Sequence, residues 1–506
     1  MNLFDVLEKG AQLFPDKDAI RFEDPSGCRN ISYRELHQNA SRFSDVLFRA
    51  GVRRGDRIAV FLPNVPEYPI VTYGAFRLGA VPVLLSSALK KEKVREHVED
   101  SEAKILVTCE GLQHEAVLAR QCSCVRQVLA IDSSAEILGD RTFPAGIDGE
   151  LPPAGELDST DPALILYTSG TTGEQKGAVL SHGTVLSNIQ ATNHHTGMGA
   201  DDVVLCFLPL FHCFGQNFVL NATLNAGGTL ILHKRFELAE ILGSLRKNRV
   251  TMFFSIPPNY HQLLELPDIS PFETVRYFFT AADTMPPETA EKWFEKYGRR
   301  IWEGWGLTET SPFATYNHDT HYKPGTVGTP IVDVEVKIAG GDGEWLEAGE
   351  VGEIAVSGPN VFQGYFHDPE ATRRVFRDGC WFLTGDIGKL DEDGYLQIVD
   401  RKNDRIKVIG FSVWPREIEK FLREHFAGRI EDVGIIGVPD EVRGEMPFAY
   451  VVARDPTLTE FEITEACRRK LAGYQQLKEI KFVDRIPKTP TGKILKRELR
   501  DWQARP

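Results

Sequence analysis

The chain has 506 residues, more than one hydrophobic core usually supports, so at least two domains are expected. Its 42% hydrophobic and 26% charged composition excludes disordered, fibrous and low-complexity classes. A formal charge of -14 repels polyanions over most of the surface, which argues against nucleic acid or an anionic membrane as the main partner. A phosphate ligand would therefore need a local site.

The cysteines show no metal-type pairing: Cys122 and Cys124 are two apart, and Cys28, Cys109, Cys206, Cys213, Cys380 and Cys467 are isolated. They read as reduced, mostly buried thiols of a cytoplasmic protein. The N-terminus (Met1 to Lys9) begins an amphipathic helix with early acids and lacks the basic start and apolar run of a signal peptide. No stretch approaches the roughly 18 uninterrupted apolar residues of a membrane helix, so no transmembrane segment is expected.

In chain order, residues 57–62 read as a buried strand, 68–78 as a helix and 80–85 as the next strand, although Pro82 speaks against a central position for the last. This alternation continues through the first 400 residues or so and predicts an α/β fold with mostly parallel sheets covered by helices. A helix is expected from about Thr184. From about Gly352 the pattern changes to short β segments with turn signals, including 352–358 and 391–399, which predicts a β-rich subdomain. The polar run 400–405 reads as a joint, placing a boundary near 403 between a large unit, 1–402, and a small α+β unit, 403–506. No internal repeat is present.

The strongest chemical signal is Thr168-Ser169-Gly170-Thr171-Thr172-Gly173-Glu174-Gln175-Lys176-Gly177, which follows the apolar run 164–166. Glycines let successive N–H groups converge on phosphate oxygens, while hydroxyls and Lys176 add donors and a charge. It is not a Walker A loop, because Gly177 stands where that motif needs Ser or Thr after its lysine. The bland alternative is a solvated turn, but the density of glycine, hydroxyls and a lysine after a buried strand favours phosphate.

This loop resembles the phosphate-binding signature of the acyl-adenylate-forming superfamily, which groups acyl- and aryl-CoA synthetases, firefly luciferases and nonribosomal peptide synthetase adenylation domains. Gln175 departs from the proline usual there. Further landmarks follow in the family's order over nearly the whole chain. Leu208-Pro209-Leu210-Phe211-His212-Cys213-Phe214-Gly215 resembles the segment over the acyl site, making His212 a candidate gate and pocket wall. Gly304-Trp305-Gly306-Leu307-Thr308-Glu309 resembles the aromatic-Gly-x-Thr-Glu motif; the resemblance implies that Trp305 stacks on adenine, Thr308 meets the α-phosphate and Glu309 ligates Mg²⁺. Without it, Trp305 would read as core, and Glu309 as a surface acid.

Thr280-Ala281-Ala282-Asp283 resembles the strand and turn lining the adenine and acyl pockets, with Ala281 where the family has glycine. Asp386, in Thr384-Gly385-Asp386, resembles the carboxylate that accepts both ribose hydroxyls, and Arg401 its ribose or phosphate partner. In isolation Thr-Gly-Asp is an ordinary turn. Residues 401–410 resemble the family hinge and the loop after it, with Asp400 where glycine is usual and Asn403 at the pivot; Gly410 would leave room for the pantetheine arm of coenzyme A. Pro487-Lys488-Thr489-Pro490-Thr491-Gly492-Lys493 resembles the C-terminal loop whose lysine acts in adenylation, here Lys493.

The resemblance implies ATP-dependent activation of a carboxylic acid to an acyl-adenylate, then transfer to coenzyme A. The weakly charged surroundings of His212, Phe214, Gln216, Ala281, Ala282 and Gly306 suggest a hydrophobic monocarboxylate. An amine or a carrier protein as acceptor, and a binding protein that kept the fold without catalysis, are the alternatives. Oligomeric state is not legible; a homodimer is one arrangement the reading allows.

Overall fold

The computed structural model describes residues 1–24, 27–131, 156–169, 175–267, 270–318, 320–341, 343–409, 411–440, 442–489 and 492–504. Among these residues the strands form four sheets. The largest has nine strands, and its centre is parallel: Ile301–Gly306, Tyr277–Thr280, Met252–Ser255, Val203–Cys206, Thr229–Leu232 and Asp18–Asp24, in that spatial order. Met252–Ser255 and Tyr277–Thr280 are buried at every position, which suits continuous apolar runs better than alternation does. Antiparallel strands, Phe313–Tyr316 and Gly27–Ser32, flank this parallel centre.

The second sheet has seven strands and contains the elements expected early in the chain, at Arg57–Val60 and Val81–Leu84, joined by the helix Glu67–Leu78. Val81–Leu84 is interior to it despite Pro82. The proline pairs with Ile58, and the ladder on the other side starts only at Val83, so no N–H is required of Pro82 there.

The helix expected from Thr184 is His182–Thr196, capped by Ser181, whose hydroxyl accepts the Thr184 N–H at 3.1 Å. Before it comes a strand not expected from sequence: Gln175–Ser181 pairs antiparallel with Pro162–Ser169, from Ser169 opposite Gln175 to Pro162 opposite Ser181.

The β-rich region begins earlier than expected, at Glu335–Ala339, which pairs with Gly352–Ser357; that strand pairs in turn with Trp381–Leu390, and Leu396–Arg401 completes the meander. After Arg401 a short turn, Lys402–Asp404, leads into the fourth sheet, built on Ile430–Asp440 and Gly444–Ala453. Apolar residues from Ile406 to Ile480 form a cluster of their own, apart from the main core that extends from Leu3 to Leu396. No helix among the described residues is long and apolar enough to cross a membrane. The eight cysteines are free, and Cys109, Cys122, Cys206, Cys213 and Cys467 are buried.

Val203–Cys206, Met252–Ser255, Tyr277–Thr280 and Ile301–Gly306 run parallel side by side, so the segments after their carboxyl ends meet along one edge of the sheet. Ligands of such sheets bind at that edge.

Candidate active site

A cavity of about 890 Å³ opens there. Strand-end segments supply His212, Phe214, Ala281, Ala282, Asp283, Gly304, Trp305, Gly306, Thr308 and Glu309 to its wall. Thr168 and Lys176 line it from the seven-stranded sheet, Asp386 and Arg401 from the β-rich region, and Lys493 from the C-terminal unit. Residues expected together from scattered motifs thus face one space. Gly170, Thr171, Thr172, Gly173 and Gly410 lie outside the described residues; Ser169 ends its strand, paired with Gln175.

Gln216 is a correction. It was expected in the pocket wall, but it is fully buried behind it, its amide 3.4 Å from Asn221 Oδ1. The reason is local: Phe214–Asn221 is a π-helical turn, in which residues two apart point in nearly opposite directions, so the turn that exposes Phe214 to the cavity hides Gln216.

Asp386 sits directly opposite Arg401 in the antiparallel ladder. Arg401 Nε lies 2.5 Å from Asp386 Oδ1, and the Trp305 indole N–H donates to Oδ2 at 2.9 Å. A carboxylate has about four acceptor positions, so two remain for further hydroxyl donors. Asp386 thus unites three motifs that lie far apart in the sequence.

Glu309 is on the short turn Thr308–Thr310. It is buried, and the desolvation raises its pKa above the usual carboxylate range even though the Tyr365 hydroxyl donates to Oε1 at 3.0 Å. A buried carboxylate in that condition suits a hard cation. No cluster of three or more metal-ligating side chains exists among the described residues, so phosphate oxygens and water would complete the shell, as they commonly do for Mg²⁺. Tyr365 also links this corner to the strand Gln175–Ser181: Lys176 Nζ lies 5.2 Å from its ring centre and 3.7 Å from Asp368 Oδ2.

The turn carrying Thr308 and Glu309 is held from behind by two buried asparagines. Asn188 donates to the carbonyls of Thr310 and Phe313 at 3.2 and 2.8 Å, and Asn360 donates to the same pair at 3.3 and 2.8 Å. Another buried asparagine, Asn64, fixes the His212 segment, donating to Leu208 O at 2.9 Å and accepting from Leu210 N at 2.9 Å. Sequence reasoning missed all three, because an asparagine carries no motif and its partners are remote.

His212 Nδ1 accepts the Phe214 N–H at 3.2 Å, which leaves the ring hydrogen on Nε2. Burial, then the nearby charge of Lys493, push its pKa down to about 4, so the ring is neutral at physiological pH. It can wall the pocket or donate one hydrogen bond; it is not a cation for a substrate carboxylate. Thr308 Oγ1 lies 3.7 Å from Cys213 Sγ, which brings the two segments into contact.

Lys493 is held from both sides: the Lys488 backbone bridges that of Ile494, and Thr489 Oγ1 accepts the Lys493 N–H at 3.1 Å. Burial, then the Arg401 charge, lower its ammonium to about 8, opposed by Asp386 and Asp283. Arg416, in the first turn of Pro415–His425, also reaches the cavity; its Nη2 is 3.4 Å from Asp283 Oδ1, and its backbone N–H donates to buried Asp400 at 2.8 Å. Asp400, noted as a departure, thus anchors that helix start.

After the strand Tyr277–Thr280, Ala282 has φ +76°, a left-handed conformation uncommon for a residue with a Cβ. Next to it, Glu303 is raised to about 8 by burial, with Asp283 adding to the effect, although Met285 N–H donates to it at 3.0 Å. Gly306 is required: a Cβ there would lie 1.9 Å from the Pro312 carbonyl. This arrangement offers an acceptor for a diol, a seat for a divalent cation, and a confined ammonium across from a neutral apolar wall.

The AMP-binding enzyme model matches residues 7–366, and the AMP-binding enzyme C-terminal domain model matches 417–493. A feruloyl-CoA synthase of Amycolatopsis sp is 35% identical, the match covering 97% of this chain and 96% of the relative. A long-chain-fatty-acid CoA ligase of Bacillus subtilis (strain 168) is 32% identical over 98% and 93%. Among solved structures, ATP-bound MatB from Rhodopseudomonas palustris superposes with a TM-score of 0.88 at 31% identity, covering 99% of each chain. The o-succinylbenzoate CoA synthetase of Bacillus subtilis with its acyl-adenylate gives 0.85 at 29% identity, covering 99% of this chain and 98% of the other. With these matches spanning both units, the chain belongs to the AMP-binding enzyme family and is an AMP-forming acyl-CoA synthetase.

Proposed function

We propose that the protein activates a hydrophobic monocarboxylic acid with ATP and passes the acyl group to coenzyme A, releasing AMP and pyrophosphate. The observation that carries this reading is the convergence of Lys493, Asp386–Arg401 and Thr308–Glu309 on one cavity with an uncharged wall at His212 and Phe214. In this reading residues 1–402 bind ATP and the acid, and 403–506 deliver Lys493.

Asp386 accepts the ribose hydroxyls, Trp305 and the Ala281–Asp283 turn flank the adenine, and Lys176 with Thr168 faces the phosphates. A carboxylate oxygen of the acid attacks the α-phosphorus, the bond from that phosphorus to the β-phosphate oxygen breaks, and pyrophosphate leaves. In this reading the Lys493 ammonium offsets charge on the transferring group, and Thr308 donates to the α-phosphate. Glu309 would hold Mg²⁺, which supplies charge neutralisation at the phosphates when bound. The thiol of coenzyme A then attacks the acyl carbon, the bond to AMP breaks, and the thiol proton passes to solvent. His212 stays neutral throughout and shapes the acyl end. A pocket that must hold pyrophosphate first and a thiol later favours movement of the small C-terminal unit between the steps.

The test is pyrophosphate exchange into ATP over a panel of carboxylic acids, followed by product identification with coenzyme A and with amines. Acid-dependent exchange and a thioester product are expected. An amide product would redirect the acceptor, and silence with every acid would end the reading.

A further inference from the structure

Aromatic rings line the cavity on the segments that flank His212 and Thr308. Phe214 and Phe313 form its inner face, nearly perpendicular at 88° with centroids 5.5 Å apart. Directly behind them stand Phe218 and Phe279, both with no exposed surface, and Tyr316 at 1%. Phe218 lies 4.6 Å from Phe313 and 4.8 Å from Phe279, and Phe279 lies 5.3 Å from Phe313. These rings come from three separate elements, the turn Phe214–Asn221 and the strands Tyr277–Thr280 and Phe313–Tyr316. The Tyr316 hydroxyl is 3.0 Å from Thr192 Oγ1, which ties the back of the cluster to the helix His182–Thr196.

Packed interiors leave no void for an alkyl chain, and these rings interdigitate as a core does. Space beside them is also taken: at Gly304 a Cβ would already meet the tip of the Phe279 ring at 2.6 Å. Volume points the same way. A pocket of ~300–1,000 Å³ suits one drug-sized ligand, whereas these 890 Å³ must take both ATP and the acid. The relatives do not decide the matter, because by their names one acts on long-chain fatty acids and another on ferulate.

We propose that this aromatic plug makes the enzyme selective for a compact monocarboxylate, one aromatic ring or a short chain, and excludes long-chain fatty acids. The inference rests on the adenylation reading above. It also assigns Phe218 as a specificity-determining residue: one turn behind Phe214, it occupies the path a longer chain would need.

The test is pyrophosphate exchange by the full-length enzyme with benzoate, 4-hydroxycinnamate, butanoate, hexanoate, dodecanoate and hexadecanoate. Compact acids are expected to support exchange, with kcat/KM for hexadecanoate at least about 100-fold lower than for the best of them. Phe218→Ala should raise the ratio of dodecanoate to benzoate activity by about 10-fold or more. Phe218→Leu, which keeps most of the volume and guards against a variant that fails to fold, should shift it in the same direction by less. Hexadecanoate used as well as the compact acids by the unaltered enzyme would overturn the plug while leaving adenylation intact. So would an unchanged ratio in both folded variants. Silence with all six acids would instead remove the adenylation reading, and this inference with it.

Discussion

The two walls of the cavity are built on opposite principles. On the wall proposed for the nucleotide the key polar side chains have named partners: Asp386 with Arg401 and Trp305, Glu309 with Tyr365, Arg416 with Asp283. On the wall proposed for the acyl group the contacts are mainly ring against ring, and its histidine, His212, is neutral. A polar network fixes where a charged ligand sits, because an unpaired partner is costly in a buried site. A packed apolar wall fixes only size and shape, and the neighbours' volumes set its limits.

Substitutions that strike one wall should therefore leave the other's readout intact. The largest effect is expected for Lys493→Ala: pyrophosphate exchange should fall ~10²–10³-fold or more, while thioester formation from a supplied acyl-adenylate keeps most of its rate. Equal loss of both steps would break the assignment. Next comes Asp386→Ala, which leaves the Arg401 guanidinium and the Trp305 N–H without their acceptor. Losing charged hydrogen bonds of ~1.5–3 kcal/mol should raise the KM for ATP roughly 10–100-fold, with little change in preference among acids. A shifted acid preference would show that the two walls are coupled.

The third effect is a pH dependence. Lys493 is lowered to about 8, so it is ammonium below that value and amine above it. Exchange kcat/KM should be flat from pH 6 to 7.5 and then fall about tenfold per unit above about 8. His212, at about 4, should add no limb in the neutral range. The smallest effect concerns stability. Glu303 is raised from 4.5 to about 8, so between these values the folded state holds a proton the unfolded state has lost. Its contribution to stability therefore declines as pH rises from about 4.5 to about 8, and Glu303→Gln should flatten the fall of Tm across that window. A Tm slope identical to that of the unaltered protein would exclude Glu303 as its source.

What was legible in the sequence divides along the same line. Thr168, Lys176, Trp305, Glu309, Asp386, Arg401 and Lys493 sit in short segments whose residue types state a chemistry, and they share one cavity. The parallel strands were legible because fully buried strands are continuous apolar runs. The strand Gln175–Ser181 was not, because its first residues belong to the same glycine-rich text that was expected to bind phosphate. Gln216 was misplaced because nothing in Phe214-Gly215-Gln216-Asn217 announces a π-helical turn. Tyr365 and Asn360 lie 56 and 50 residues from the partners they hold, a pairing that only the folded chain reveals.

Asn188 and Asn360 lie 172 positions apart, yet their amides converge on the same two carbonyls, those of Thr310 and Phe313. The turn carrying Thr308 and Glu309 thus has a duplicate fastening. Loss of either amide leaves the other donating to both carbonyls, so random single changes there would pass with modest damage, and the second loss would be far more severe than the first. Such redundancy shelters the most chemically exacting corner of the enzyme from ordinary mutational wear, and it hides that corner's dependence on the two asparagines from any survey that alters one residue at a time.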